Sequence, residues 1–233
     1  MRHMNTQAVI LAAGMGTRLG KPWPKPLTPL ADGRTIMGQQ MDNLQKAFGA
    51  DLRVLTVVGF KLDMILEAFP NVTYAYNENF DQTNTNRSLL KALRLACDGG
   101  VIWLNGDVVF DSEVLERCKP LMAADQSFVC VNTSAVAEEE VKYTVNAAGF
   151  IDALSKTVNP ALGEAVGINF ISAKDRATFI RGLESCEDGD YFERGLEIAI
   201  DRDGLNVLPL DITDLFAVEV DFEEDLSRAN QHL

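Results

Sequence analysis

Hydrophobic positions along this chain fall into short unbroken runs separated by segments of helical spacing. Residues 8–11, 53–58, 72–76 and 101–104 are apolar or β-branched runs, and each predicts a buried strand. Between them, 36–48 sets Ile36, Met37, Gln40, Met41, Leu44, Ala47 and Phe48 at helical spacing. The same period returns over 62–69, before Pro70, and over 88–96, where Leu89, Leu90, Ala92, Leu93 and Ala96 are apolar. Strands alternating with helices predict parallel strands covered by helices on both faces. The second half changes rhythm. Runs over 127–132, 142–145, 151–154 and 166–171 predict strands joined in part by hairpin-sized turns, with Ala148 and Gly149 at one of them. Helices are predicted over 174–184 and 191–201, late strands over 206–210 and 215–220, and a closing helix over 222–231. No Ser/Gly/Pro-rich linker or internal repeat divides the chain, which predicts one α/β domain over 1–233.

Composition narrows the class. A chain of 233 residues, 47% hydrophobic and 24% charged, fits one soluble globular domain. A formal net charge of -13 excludes a nucleic-acid surface, which would show a basic face. A polyanionic ligand must then be met by a local cationic pocket. Cys97, Cys118, Cys130 and Cys186 are scattered, with no Cys-x-x-Cys pair and two histidines in the chain, so a zinc site is not expected and a reduced cytoplasmic setting is. No long apolar run precedes a small-residue cleavage site, and no stretch approaches the ~20 apolar residues that span a membrane.

The candidate chemistry is concentrated after the first strand. Leu11-Ala12-Ala13-Gly14-Met15-Gly16-Thr17-Arg18 runs from the strand into a glycine loop, and Lys25 follows within Pro24-Lys25-Pro26-Leu27. Glycines let backbone N–H groups approach phosphate oxygens, arginine forks onto them, and lysine supplies a compact point charge. Lys21 adds to this cationic cluster. The string is not a Walker A loop, and it lacks the third glycine of a dinucleotide fingerprint because Leu19 stands in that position. The loop suits a nucleoside triphosphate.

These residues resemble the signature of the nucleotidyltransferase (sugar-nucleotide pyrophosphorylase) superfamily, Leu-Ala-Ala-Gly-x-Gly-Thr/Ser-Arg followed by Pro-Lys-x-Leu. The resemblance implies a Rossmann-like, three-layer α/β/α fold with a mixed, mostly parallel sheet and a small β-rich acceptor-binding insertion. It implies a nucleotide-binding half at about 8–125 and an acceptor and metal half at about 126–233. Arg18 and Lys25 become the catalytic cations, and Leu11, Ala12, Ala13, Gly14, Gly16 and Thr17 the triphosphate loop.

Later positions extend the reading. Asn105-Gly106-Asp107 closes an apolar strand, the place where open α/β sheets gather ligands. Asp107 there can hold Mg2+, although an aspartate also suits a turn or a cap. Glu219 and Asp221 lie two apart on a predicted strand and share a face, which offers Asp221 as second metal ligand with Glu219 assisting. Glu223, Glu224 and Asp225 fall in the first turns of the closing helix, where acidic residues suit the helix dipole. The passage Tyr76-Asn77, Thr85-Asn86, Ser88-Leu89 resembles one in cytidylyltransferases acting on phosphocholine and phosphonates, which would make Asn77, Thr85, Asn86, Ser88 and Asn105 nucleotide-binding; an Asn-rich turn before a helix is the plainer alternative. Val141-Lys142, Ser155-Lys156 and Gly163-Glu164 resemble the same group's acceptor section, assigning Lys142, Lys156 and Glu164 to the acceptor. Trp23, Trp103, Tyr74, Tyr76, Tyr143 and Tyr191 are not gathered by any spacing into a choline cage.

The resemblance implies transfer of CMP from CTP onto a small phosphate or phosphonate acceptor, with Mg2+ as cofactor, release of pyrophosphate and pairing as a homodimer. The loop between Arg18 and Lys25 is a few residues shorter than in phosphocholine-type relatives, which leaves phosphocholine, 2-aminoethylphosphonate, other phosphonates and polyol phosphates open. Two alternatives stand beside it: a sugar-1-phosphate uridylyl- or guanylyltransferase, and a non-catalytic nucleotide-binding module.

Overall fold

The structure, a computed structural model, describes residues 6–134, 136 and 140–233, without the side chain of Thr17. Strands and helices alternate as Gln7–Ala12 (β1), Ile36–Phe48 (α1), Arg53–Val58 (β2), Leu62–Ala68 (α2), Thr73–Tyr76 (β3), Thr85–Leu95 (α3) and Val101–Asn105 (β4). There follow Val108–Phe110 (β5), Ser112–Ala123 (α4), Phe128–Asn132 (β6), Lys142–Val145 (β7), Ile151–Ser155 (β8) and Gly163–Ile171 (β9). The chain ends with Arg176–Glu184 (α5), Phe192–Asp203 (α6), Leu208–Asp211 (β10), Ala217–Glu219 (β11) and Glu223–His232 (α7).

Among the described residues, nine strands form one sheet whose main path is β10-β6-β9-β4-β1-β2-β3. Along that path β9 alone runs against its neighbours β4 and β6, so the sheet is mixed and mostly parallel. Alternation on β1 divides the core. Val9 and Leu11 face one side with α3, α5 and α6, and Ala8, Ile10 and Ala12 face the other with α1, α2 and α4. The result is the expected three-layer α/β/α arrangement. The hairpin β7–β8 branches from the start of β9, through Lys142 opposite Glu164 and Tyr143 opposite Gly163. This hairpin is the β-rich part expected of the second half.

Three elements depart from the periodicity. Helix α3 starts at Thr85 rather than residue 88, because Asn84 accepts from the Thr85 N–H and the polar turn after it is helical without apolar spacing. Strand β9 starts at Gly163, three residues early, because pairing with β7 extends it. Strand β5 is not predicted at all: three residues are too few to show alternation. It pairs antiparallel with β11 in a two-stranded ribbon beyond the end of β4, with Glu219 opposite Val108.

Candidate active site

The carboxyl ends of β1 and β4 lie side by side, with Leu11 opposite Asn105. Gly106 N–H donates to Leu11 O at 2.9 Å, which turns the chain at Asp107, and Val220 N–H donates to Asp107 O at 3.0 Å. The β5–β11 ribbon thereby carries Glu219 and Asp221 to Asp107, across more than a hundred residues of sequence. Asp225, in the first turn of α7, accepts from Phe222 N–H at 2.9 Å and from Asp221 N–H at 3.2 Å, fixing the backbone at the second carboxylate.

Lys25 is the centre of the constellation. Its Nζ donates to Asp107 Oδ2 at 2.7 Å and also to Asp221 Oδ1. Arg18 donates to Asp221 Oδ2 at 2.6 Å. Gly16 lets this happen: its φ is +57°, and a Cβ there would stand 3.0 Å from Lys25 Cβ. Burial by itself would lower the Lys25 pKa, but the charges of Asp107 and Asp221 and the hydrogen bonds to both outweigh it and hold the ammonium above the ordinary lysine range. For Asp221, burial pushes upward, and Lys25 with Arg18 pulls the carboxyl below its usual range.

These groups line a cleft of about 300 Å3. Of the residues singled out from sequence, it gathers Leu11, Ala12, Gly14, Gly16, Arg18, Lys25, Thr85, Asn105, Asp107, Lys156, Glu219 and Asp221 in its wall. Others stand elsewhere. Ala13 is buried in the core, and Asn77 donates to Thr83 Oγ1 and Ser88 Oγ, each at 3.0 Å, in a buried knot at the base of α3. Asn86 is also buried and donates to Glu187 O at 2.6 Å. Lys142 donates to Lys156 O at 2.9 Å and lines a neighbouring hollow that meets the cleft at Lys156, and Glu164 lies opposite Lys142 on β9. Lys21 pairs with Glu223 outside the cleft wall. The Thr17 side chain lies outside the described residues.

The cleft also contains groups that spacing did not single out. Glu140, Tyr191, Phe192 and Glu193 are part of its wall. Burial first, then the charge of Glu164, pushes the Glu140 carboxyl up to about 7. Burial does the same to Glu193. Glu219 is raised well above the usual range by burial and then by the charges of Asp107, Glu140 and Glu193. Asn105 Nδ2 donates to Glu219 Oε1 at 3.1 Å, and Gly167, at φ +68°, stands behind both: a Cβ there would run into them. No sequence signal marks Glu193, since an acidic residue in a helix's first turn is ordinary.

The donor set fits a hard divalent cation. Asp107 Oδ1 is buried and has no hydrogen-bond partner in the protein, and Asp221 shares the Lys25 ammonium with Asp107. No group of three or more His, Cys, Asp or Glu residues suited to a metal occurs among the described residues. Two carboxylates completed by phosphate oxygens and water is the arrangement magnesium accepts. No helix among the described residues is long and apolar enough to cross a membrane.

Known proteins resemble this chain in sequence and in fold. The sequence profile of the MobA-like NTP transferase domain matches residues 8–168. Over 122 residues the chain is 40% identical to the CMP-5'-(3-aminopropyl)phosphonate synthase of Streptomyces rubellomurinus; the matched stretch is 48% of this chain and 18% of that protein's length. Two solved structures share the fold over nearly the whole chain. The inositol-1-phosphate CTP transferase of T. maritima superposes with a TM-score of 0.77 at 18% identity, covering 99% of this chain and 98% of the other. The CTP:phosphocholine cytidylyltransferase of Streptococcus pneumoniae gives 0.72 at 16% identity, covering 97% and 98%.

Proposed function

Since the chain belongs to the family of MobA-like NTP transferase domains, we propose that it is a CTP-dependent cytidylyltransferase. It moves CMP onto a phosphorylated or phosphonate small molecule and releases pyrophosphate. The observation that carries this reading is the meeting of Lys25 with Asp107 and Asp221 beside a glycine loop, at the carboxyl ends of β1 and β4. Such a site suits phosphates, and none of the described residues that line it is a Ser, Cys or His. The choice of CTP draws support from three of the similar proteins, which are named for CMP or CTP.

In the proposed reaction an acceptor oxygen attacks the α-phosphorus in line. The new O–P bond forms as the bond to the bridging oxygen breaks, and that electron pair leaves with pyrophosphate. The attacking oxygen is already ionised, so no general base is needed. The obstacle is repulsion between two anions. Magnesium held by Asp107 and Asp221, with Glu219 behind them, would neutralise that charge. Gly14 and Gly16 let backbone N–H groups approach the triphosphate, and Arg18 pairs with its outer oxygens. Lys25 holds both carboxylates, and its flexible stem lets the same ammonium turn to the α- and β-phosphates, where charge builds in the transition state. Thr85 and Asn105 border the nucleotide, while Asn77, Asn86 and Ser88 shape the α3 turn beneath it. Lys156, Lys142 and Glu164 face the acceptor side. Residues of about 8–125 thus bind nucleotide, those of about 126–233 supply the acceptor and metal side, and the whole works as one domain in the cytoplasm.

The test is pyrophosphate release with magnesium, crossing CTP, UTP, GTP and ATP against phosphate and phosphonate acceptors. Turnover confined to CTP is expected, with none in Asp107→Ala. Turnover with UTP or GTP and a sugar 1-phosphate would replace this reading by a sugar-nucleotide one. Nucleotide binding without pyrophosphate release from any pair would leave a binding module.

A further inference from the structure

We infer that Arg87, with Asn84, Thr85 and Asn86, clamps the α5–α6 connection and so positions the Tyr191–Glu193 part of the cleft wall. This polar motif then governs the fit of the acceptor and does not read the nucleotide base. The inference rests on the transferase reading and adds positioning residues to it. The connection runs from Ser185 to Tyr191, and of it only Cys186 is buried. Apolar packing therefore does little to fix its course, and its backbone groups need partners. Four successive residues at the start of α3 supply them. Asn84 N–H donates to Asp188 O at 2.9 Å, and Asn84 Nδ2 to Gly189 O at 3.3 Å. Asn86 Nδ2 donates to Glu187 O at 2.6 Å. Arg87 donates from Nη2 to Cys186 O at 2.7 Å, from Nη1 to Leu183 O at 3.4 Å and from Nε to Asp188 Oδ1 at 2.8 Å.

Arg87 makes the largest share of these contacts. Its guanidinium covers carbonyls at the C-terminal end of α5, where a cation also suits the helix dipole. Asp188 is mostly exposed, so the carbonyl bonds count for more than the ion pair. Helix α6 leans on the same motif. Tyr191 gives its first turn no side-chain cap, and Phe192 N–H donates instead to Thr85 Oγ1 at 3.1 Å. Tyr191, Phe192 and Glu193 then enter the cleft wall, where Lys156 Nζ lies 4.8 Å from the centre of the Tyr191 ring. Lys156 is the residue that the proposed reaction gives to the acceptor. Glu193 is 7% exposed, and its Oε2 has no hydrogen-bond partner among the described residues, so a small shift of the α6 start changes what this wall offers a ligand. The amide oxygens of the motif are committed locally: Asn84 Oδ1 accepts from Thr85 N–H at 2.8 Å and Asn86 Oδ1 from Arg87 N–H at 2.6 Å. None of these bonds reaches the glycine loop.

The experiment compares wild type with Arg87→Ala and Arg87→Lys, with thermal melting as a check on folding. Hydrogen exchange of the amides over 185–193 is expected to quicken about tenfold in folded Arg87→Ala, while exchange over 13–20 stays as in wild type. With the panel acceptor of highest kcat/KM, the acceptor KM should rise about tenfold, and the calorimetric Kd of CTP with magnesium should move by less than about threefold. Arg87→Lys keeps the charge but not the fork, so it should recover part of both effects. It carries the test if Arg87→Ala does not fold, with a smaller rise in exchange and in acceptor KM expected. Unchanged exchange over 185–193, or a CTP Kd that rises as much as the acceptor KM, would overturn the inference. The exchange measurement needs no substrate. Faster exchange over 185–193 without turnover in wild type would overturn the transferase reading and keep the clamp. Wild-type turnover with an acceptor KM unmoved in the variants would overturn the inference and keep that reading.

Discussion

Lys25 and Glu193 are two buried charges treated in opposite ways. Lys25 is compensated twice, by Asp107 and Asp221, and stays charged. Its removal leaves two carboxylates without their shared partner and takes away charge stabilisation at the transferred phosphate. Lys25→Ala is expected to lower kcat by roughly 10²-fold or more, with a smaller effect on KM, as steady-state kinetics would show. Glu193 is compensated poorly, and burial raises its carboxyl from 4.5 to about 7. Below pH 4.5 the group is protonated in both the folded and unfolded chain and costs nothing. Between 4.5 and 7 the unfolded chain ionises while the folded one keeps its proton, so stability falls as pH rises through that window. Glu140, also raised to about 7, adds the same slope to wild type and variant and largely cancels between them. Glu193→Gln should therefore gain stability relative to wild type between pH 5 and pH 7.5. A gap in urea midpoint that stays flat over this range would contradict the assignment.

At the scale of elements, the site depends on how α1 grips the β4–β5 connection. Gln40 belongs by spacing to the apolar stripe of α1, yet its Nε2 donates to Asn105 O and to Val108 O, both at 2.8 Å. Gln39 and Asn43 each donate to Phe110 O, at 2.6 and 2.8 Å. Three buried amides thus replace the ladder partners that β5 lacks on that side. Gln40→Ala should leave two carbonyls without this donor and cost about 1–3 kcal/mol in chemical denaturation. Because Asp107 lies between those carbonyls, turnover should fall as well. The helical period of α1 was readable in the sequence, but the polar side chains inside its buried stripe gave no indication of their target. Likewise the Asn-rich stretch before α3 could be read as a cap or as nucleotide contacts. In the fold Asn77, Asn86 and Ser88 spend their hydrogen bonds within the protein, while Thr85 reaches the cleft and accepts from Phe192 N–H at 3.1 Å.

Across the whole molecule, the cleft stands on a core centred on β4. Trp103 is fully buried, stacked on Phe179 at 5.6 Å and edge-on to Phe192 at 5.4 Å, so it joins β4 to α5 and to the start of α6 beside Glu193. Trp103→Ala should cost about 3–5 kcal/mol in urea unfolding. The sequence alone determined the layered α/β architecture, because a 2.0 or 3.6 period is a local property that survives without neighbours. It also determined the glycine loop with Arg18 and Lys25, because backbone access and side-chain charge are written within a few adjacent residues. The sequence offered Asp107 and Asp221 at the ends of predicted strands, but only the tertiary structure brought both onto Lys25, through the three-residue β5, too short to carry a pattern and paired with β11 across more than a hundred residues. The tertiary structure alone placed Glu193 and Glu140 in the wall of the cleft. Burial and the absence of a partner depend on what packs around a residue, and no stretch of sequence around Glu193 encodes either.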